Sequence, residues 1–76
     1  MDEALILINT EIGSMEKVNE EIKQMKEAQR VAMLTGPYDV MVLARGESVD
    51  EISYTLMNKI RKMNGVKETT TNVVFG

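Results

Sequence analysis

The sequence predicts an α+β fold of the ferredoxin-like type: a βαββαβ two-layer sandwich with a four-stranded antiparallel sheet, dimeric in its working form. Three observations predict it. Apolar runs of strand length and amphipathic runs of helix length follow one another in the order strand, helix, strand, strand, helix, strand. The two βαβ halves are of similar length. The central apolar runs are apolar on both of their faces, which a small chain cannot satisfy by itself.

Ala4-Leu5-Ile6-Leu7-Ile8 opens the series as a strand ending at Asn9-Thr10, with Asp2 and Glu3 before it reading as a tail; Ile12-Gly13-Ser14 breaks it. Ser14 is the expected N-cap of a first helix. Met15, Val18, Ile22 and Met25 recur there at three- and four-residue spacing, with Glu16, Lys17, Glu20, Glu21, Lys23 and Glu27 on a solvated face. Val31 to Leu34 and Val40 to Ala44 are two strands joined by Thr35-Gly36-Pro37-Tyr38-Asp39. Pro37 fixes its own φ and is expected to push Gly36 toward extended backbone. Ser48-Val49-Asp50-Glu51 is a capping box for a second helix, whose buried face carries Val49, Ile52, Leu56, Ile60 and Met63. Gly65, after Asn64, is placed to stop that helix in a left-handed cap. Val66 to Phe75 closes the chain as a strand rich in threonine, expected at a sheet edge.

Right-handed crossovers are expected to place the first and third strands side by side and parallel at the sheet centre, because these runs are the most continuously apolar. Two helices cover one face of such a sheet. Water on the other face would require alternation to polar residues, yet Leu5, Leu7, Met41 and Leu43 are apolar like their neighbours. A second copy, sheet against sheet, is the simplest cover.

Composition narrows the chemistry. A 76-residue chain without cysteine or histidine has no disulfide, no thiolate metal site and no imidazole base, which leaves oligomerisation as the expected source of added stability. The net charge of −3 argues against a nucleic-acid groove. Lys59, Arg61 and Lys62 fit a helix C-terminus, where cations favour the dipole, with phosphate binding as the alternative. No apolar run reaches the roughly 20 residues of a bilayer span, and a cytoplasmic location is expected.

Ser14, Ser48 and Ser53 lack a base, and no phosphate loop, metal motif or dinucleotide fingerprint is present, so no catalytic residue and no cofactor is expected. What remains is the bend between the middle strands. Gly36 allows close approach, Tyr38 brings a donor and a ring, and Asp39 brings an anion. With the hydroxyls of Thr69 and Thr71 they suit a small zwitterion. The structural alternatives stay open here: an Asx-type turn bond for Asp39 and packing across the hairpin for Tyr38.

The chain resembles the effector-binding (RAM) domain of the Lrp/AsnC, or feast/famine, transcription regulators. The matching features are the first strand and its Gly-containing turn, Thr35-Gly36-Pro37-Tyr38-Asp39 against a T-G-x-Y-D signature, Ile60-Arg61-Lys62-Met63-Asn64-Gly65-Val66, and Val66 with Thr69, Thr71 and Val73-Val74. The resemblance covers Ala4 to Phe75 and makes 1-76 a single ligand-binding domain. Ala28-Gln29-Arg30 departs from the Pro-Gly usual before the second strand. Three residues precede the first strand, so the form expected is a stand-alone one without a helix-turn-helix and without direct DNA binding. The resemblance implies an amino-acid effector held by Leu34, Thr35, Gly36, Tyr38 and Asp39, with Thr69 and Thr71 at its side chain. It also implies a homodimer assembling to an octamer or decamer, mixed assembly with full-length regulators, and a role in transcription regulation. A small dimeric α+β barrel enzyme and a purely structural interaction domain are the alternatives.

Overall fold

A computed structural model describes residues 1–74 and has the predicted order of elements. The first strand, β1 (Asp2–Thr10), leads to helix α1 (Met15–Lys23). Strands β2 (Ala28–Met33) and β3 (Val40–Gly46) form the hairpin. The second helix runs through α2 (Val49–Glu51), a π-helical stretch (Ile52–Leu56) and α3 (Met57–Arg61), and β4 (Val66–Val74) returns to the sheet. Phe75, expected at the end of the last strand, lies outside the described residues.

The sheet order is β2-β3-β1-β4, so the two most apolar strands are central and β4 is an edge, as expected. Their direction is a correction: β1 and β3 pair antiparallel, not parallel. The crossover rule relates strands joined through a helix, here β1 with β2. Strand β3 leaves β2 by a hairpin, so it runs the other way and inserts between the two.

Register separates the two faces. Ala4, Ile6 and Ile8 stand opposite Ala44, Val42 and Val40, and all six are fully buried beneath the helices. Val18 and Ile22 of α1, and Ile52, Leu56, Met57 and Ile60 of the second helix, complete this core. Met57 was not on the predicted apolar face. Its amide donates to the Ile52 carbonyl five residues back, and this wider turn brings Met57 under Ile52. Asn19 also faces the core; its Oδ1 is fully buried with no hydrogen-bond partner.

Four local expectations change. Asp2 and Glu3 belong to β1 rather than a tail: Asp2 Oδ2 accepts from the Val49 amide (3.2 Å) and Glu3 pairs with Arg45 (2.9 Å). Helix α1 stops at Lys23, so Met25 and Glu27 lie in the following turn, and Glu27 is buried instead of lying on a solvated helix face. Strand β2 begins at Ala28, with a register shift between Ala28 and Arg30. Of the capping box, Ser48 Oγ accepts from the Glu51 amide (3.1 Å), while the reciprocal bond is not formed.

Gly65 has the left-handed backbone expected of it (φ +95°), but it does not stop the helix. The helix ends at Arg61 with Lys62 as its C-cap, and Gly65 sits in the turn into β4, where the Val66 amide donates to the Met63 carbonyl (3.2 Å). The Gly65 carbonyl accepts from the Glu11 amide (2.7 Å), and Ser14 at the N-cap of α1 packs directly on this glycine. A Cβ at Gly65 would lie 2.6 Å from Ser14 Cβ. Gly65→Ala is therefore expected to cost about 1–3 kcal/mol in stability, from backbone strain and this clash. Chemical denaturation measures it; an unchanged midpoint would refute the close approach.

Candidate functional site

The 34–39 loop joins β2 to β3 and is closed by the Leu34 amide donating to the Asp39 carbonyl (2.8 Å). Thr35, Gly36 and Pro37 project into solvent, while Leu34, Tyr38 and Asp39 are half-buried. Gly36 has φ +147°, not the extended backbone expected before a proline. That restriction acts mainly through Cβ, which glycine lacks. A side chain here would meet open space, so the demand for glycine is conformational.

Asp39 is held at both its backbone and its carboxylate. Its amide donates to the Ile8 carbonyl (2.9 Å). Its Oδ2 accepts from the Thr10 amide (2.8 Å) and from Thr10 Oγ1 (3.2 Å). The residue thus ties the loop to the end of β1, across 29 positions of sequence. This differs from the local Asx turn expected as its structural alternative. Sequence reading missed Thr10 as the anchor, because nothing in a strand-terminal threonine indicates a partner so far along the chain. Oδ2 is committed, and Oδ1 makes no hydrogen bond among the described residues. The Tyr38 hydroxyl likewise makes none.

Thr69 and Thr71 stand opposite Ile8 and Ile6, so they share the helix-covered side of the sheet and are half-buried. Thr70 and Asn72, between and beyond them, are exposed on the open side. Ile8 connects the two parts of the predicted site: it pairs with Val40 on one side and Thr69 on the other. Thr69 is therefore one strand removed from the loop, about 10 Å at the usual strand spacing. Within the chain the predicted residues come to one end of the sheet without closing round a common cavity. Thr69 instead lines an open depression with Arg61, Val66, Lys67 and Glu68.

On the open face Leu5 stands opposite Leu43 and Leu7 opposite Met41, all half-buried and covered by neither helix. The Glu3–Arg45 pair bounds this patch at one end. No helix among the described residues is long and apolar enough to cross a membrane.

Comparison with known proteins adds the following. The family model described as the Lrp/AsnC ligand binding domain matches residues 3–76. The uncharacterised HTH-type transcriptional regulator PF1231 of Pyrococcus furiosus is 25% identical over 71 residues, 93% of this chain and 48% of that protein. The chain thus spans about half the length of this curated relative. The crystal structure of TTHA0845 from Thermus thermophilus superposes with a TM-score of 0.92 at 29% identity, covering 100% of this chain and 95% of that one. The transcriptional regulator NMB0573 of Neisseria meningitidis, solved in complex with L-Met, shares the fold at a TM-score of 0.83 and 16% identity, over 99% of this chain and 50% of that one.

Proposed function

The chain belongs to the Lrp/AsnC ligand-binding domain family, and from that membership we propose that it binds a free amino acid at the 34–39 loop, within a homo-oligomer, and so conveys amino-acid supply to transcription. A regulatory effector-binding module is the role that the family and its helix-turn-helix relatives support, and a non-enzymatic role is consistent with both. The observation that carries the finer reading is the anchoring of Asp39. Two bonds to Thr10 fix the carboxylate through one oxygen and leave the other to meet an ammonium group. A loop held in this way does not have to be ordered by the ligand.

The remaining wall comes from a second molecule in this reading. The loop and Thr69 lie at one end of the sheet with no enclosed space between them, so a neighbouring copy closes the pocket. Leu34, Thr35, Gly36 and Tyr38 then flank the head group, and Thr69 and Thr71 face the effector's side chain. The open apolar face makes the dimer, and dimers assemble further into an octamer or decamer. Full-length regulators that carry the same domain enter mixed assemblies through the same surfaces.

Calorimetric titration with the twenty amino acids tests the proposal. One chemical class should bind saturably, and Thr69→Val should shift the preference among side chains by about tenfold, as expected for one lost hydrogen bond to a polar group. No heat from any amino acid, with the oligomer intact, would sink it.

A further inference from the structure

A second groove lies at the opposite end of the sheet, where the turn before β2 meets the end of β3 and the start of α2. Glu27, Glu47 and Glu51 line it, together with Lys26, Arg45, Gly46 and Met1. Its charge is unbalanced. Arg45 is already paired with Glu3 (2.9 Å), which leaves three carboxylates against Lys26 and, at most, the Met1 α-ammonium.

Glu27 makes the groove more than an acidic cluster. It is only 7% exposed, and its carboxylate makes no hydrogen bond or ion pair among the described residues. Burying a carboxylate without a partner is costly. Among the described residues, the fully sealed side-chain oxygen without a partner is Asn19 Oδ1, so the Glu27 carboxylate still touches solvent. The opening available to it is the groove that it lines. The Glu27 position is fixed from behind, since its carbonyl accepts from the Arg45 amide (2.9 Å). Gly46, beside Arg45, packs on the core: a Cβ there would stand 2.9 Å from Ile52 Cγ1.

We propose that this groove is a binding site for a small organic cation, a monoalkyl ammonium or guanidinium, with Glu27 at its base as the counter-ion. A metal ion does not fit, because no group of three acidic side chains among the described residues is close enough to hold one. An ammonium or guanidinium needs a single carboxylate at its head, and Glu47 and Glu51 add favourable charge at the rim. The Met1 side chain and the stem of Lys26 offer apolar surface for an alkyl tail. The site is separate from the 34–39 loop and does not depend on that loop's ligand.

Titration of the protein with n-butylguanidinium and n-butylammonium, followed by amide chemical shifts, tests the proposal. Saturable shifts confined to Lys26–Gln29 and Arg45–Glu51 are expected. Glu27→Gln, nearly isosteric, should weaken binding at least about tenfold, and Glu47→Gln by less. Glu20→Gln, on the exposed face of α1, should leave binding unchanged. Absence of saturable shifts, or undiminished binding in a folded Glu27→Gln protein, would overturn the proposal. So would a smaller assembly for Glu27→Gln without binding of either free cation, since the groove would then belong to a neighbouring chain.

Discussion

Leu7→Asp is expected to break the proposed face-to-face dimer into folded monomers. Leu7 sits on the open sheet face, opposite Met41 and next to the Leu5–Leu43 pair of the two central strands. It is half-buried in the single chain and lies on the side opposite the helix-covered core, so the core does not depend on it. In a face-to-face dimer it is buried twice, once from each copy. Full burial of a leucine contributes about 1.5–3 kcal/mol and about half of that is already gained within the chain, so losing two weakens association by about 1.5–3 kcal/mol, roughly 10- to 10²-fold. An unpaired carboxylate at the interface adds to that loss. Sedimentation equilibrium at micromolar concentration reads the change. Ile12→Asp is the control: Ile12 is fully exposed in the loop after β1, outside the central strands, so its replacement should leave the face-to-face dimer intact. A dimeric Leu7→Asp protein would mean that the copies meet through another surface.

That face was legible in the sequence because it rests on a local pattern. Both parities of β1 and β3 are apolar, and an unbroken apolar run on a two-layer fold leaves one side wanting cover. The order of elements, the cap at Ser48 and the left-handed turn at Gly65 were legible for the same reason, each resting on a few neighbouring residues. Features that depend on distant contacts were not. The end of α1 at Lys23 is set by the turn into β2, where Glu27 and Arg45 join backbones, rather than by the apolar periodicity that continues to Met25. The π-helical stretch beneath Met57 has no signature in a sequence that reads as ordinary helix. The direction of β3 follows from topology and was misread from the crossover rule. At the site, period-two alternation put Thr69 and Thr71 on one side of β4, but only the pairing with Ile8 and Ile6 shows that this side is under the helices. Asp39 stands out in the sequence, while its partner Thr10 does not, since 29 residues separate them.

Asp39→Ala and Asp39→Asn are expected to separate two functions that one carboxylate combines. The structure assigns Oδ2 to Thr10, a tie between the hairpin loop and β1; the proposed function assigns Oδ1 to the effector's ammonium. Alanine removes both. The part-buried donors of Thr10 regain water in place of a charged acceptor, so stability should fall by about 2 kcal/mol. Amino-acid binding should fall at least about 100-fold, since a charge-assisted contact is lost from a loop that is no longer held. Asparagine keeps a side-chain oxygen that can accept from the Thr10 amide, and it loses the charge. Its stability should stay close to that of the parent while amino-acid binding is still lost, because an amide does not pair with an ammonium as a carboxylate does. Denaturation and calorimetry on the two variants read these outcomes independently. Equal loss of stability in both would show that the tie to Thr10 depends on charge. Full amino-acid binding by Asp39→Asn would remove Asp39 as the ammonium partner and leave it as the strut that shapes the loop. In both variants the open face is untouched, so the proposed dimer should persist, and a loss of binding is then assignable to the loop.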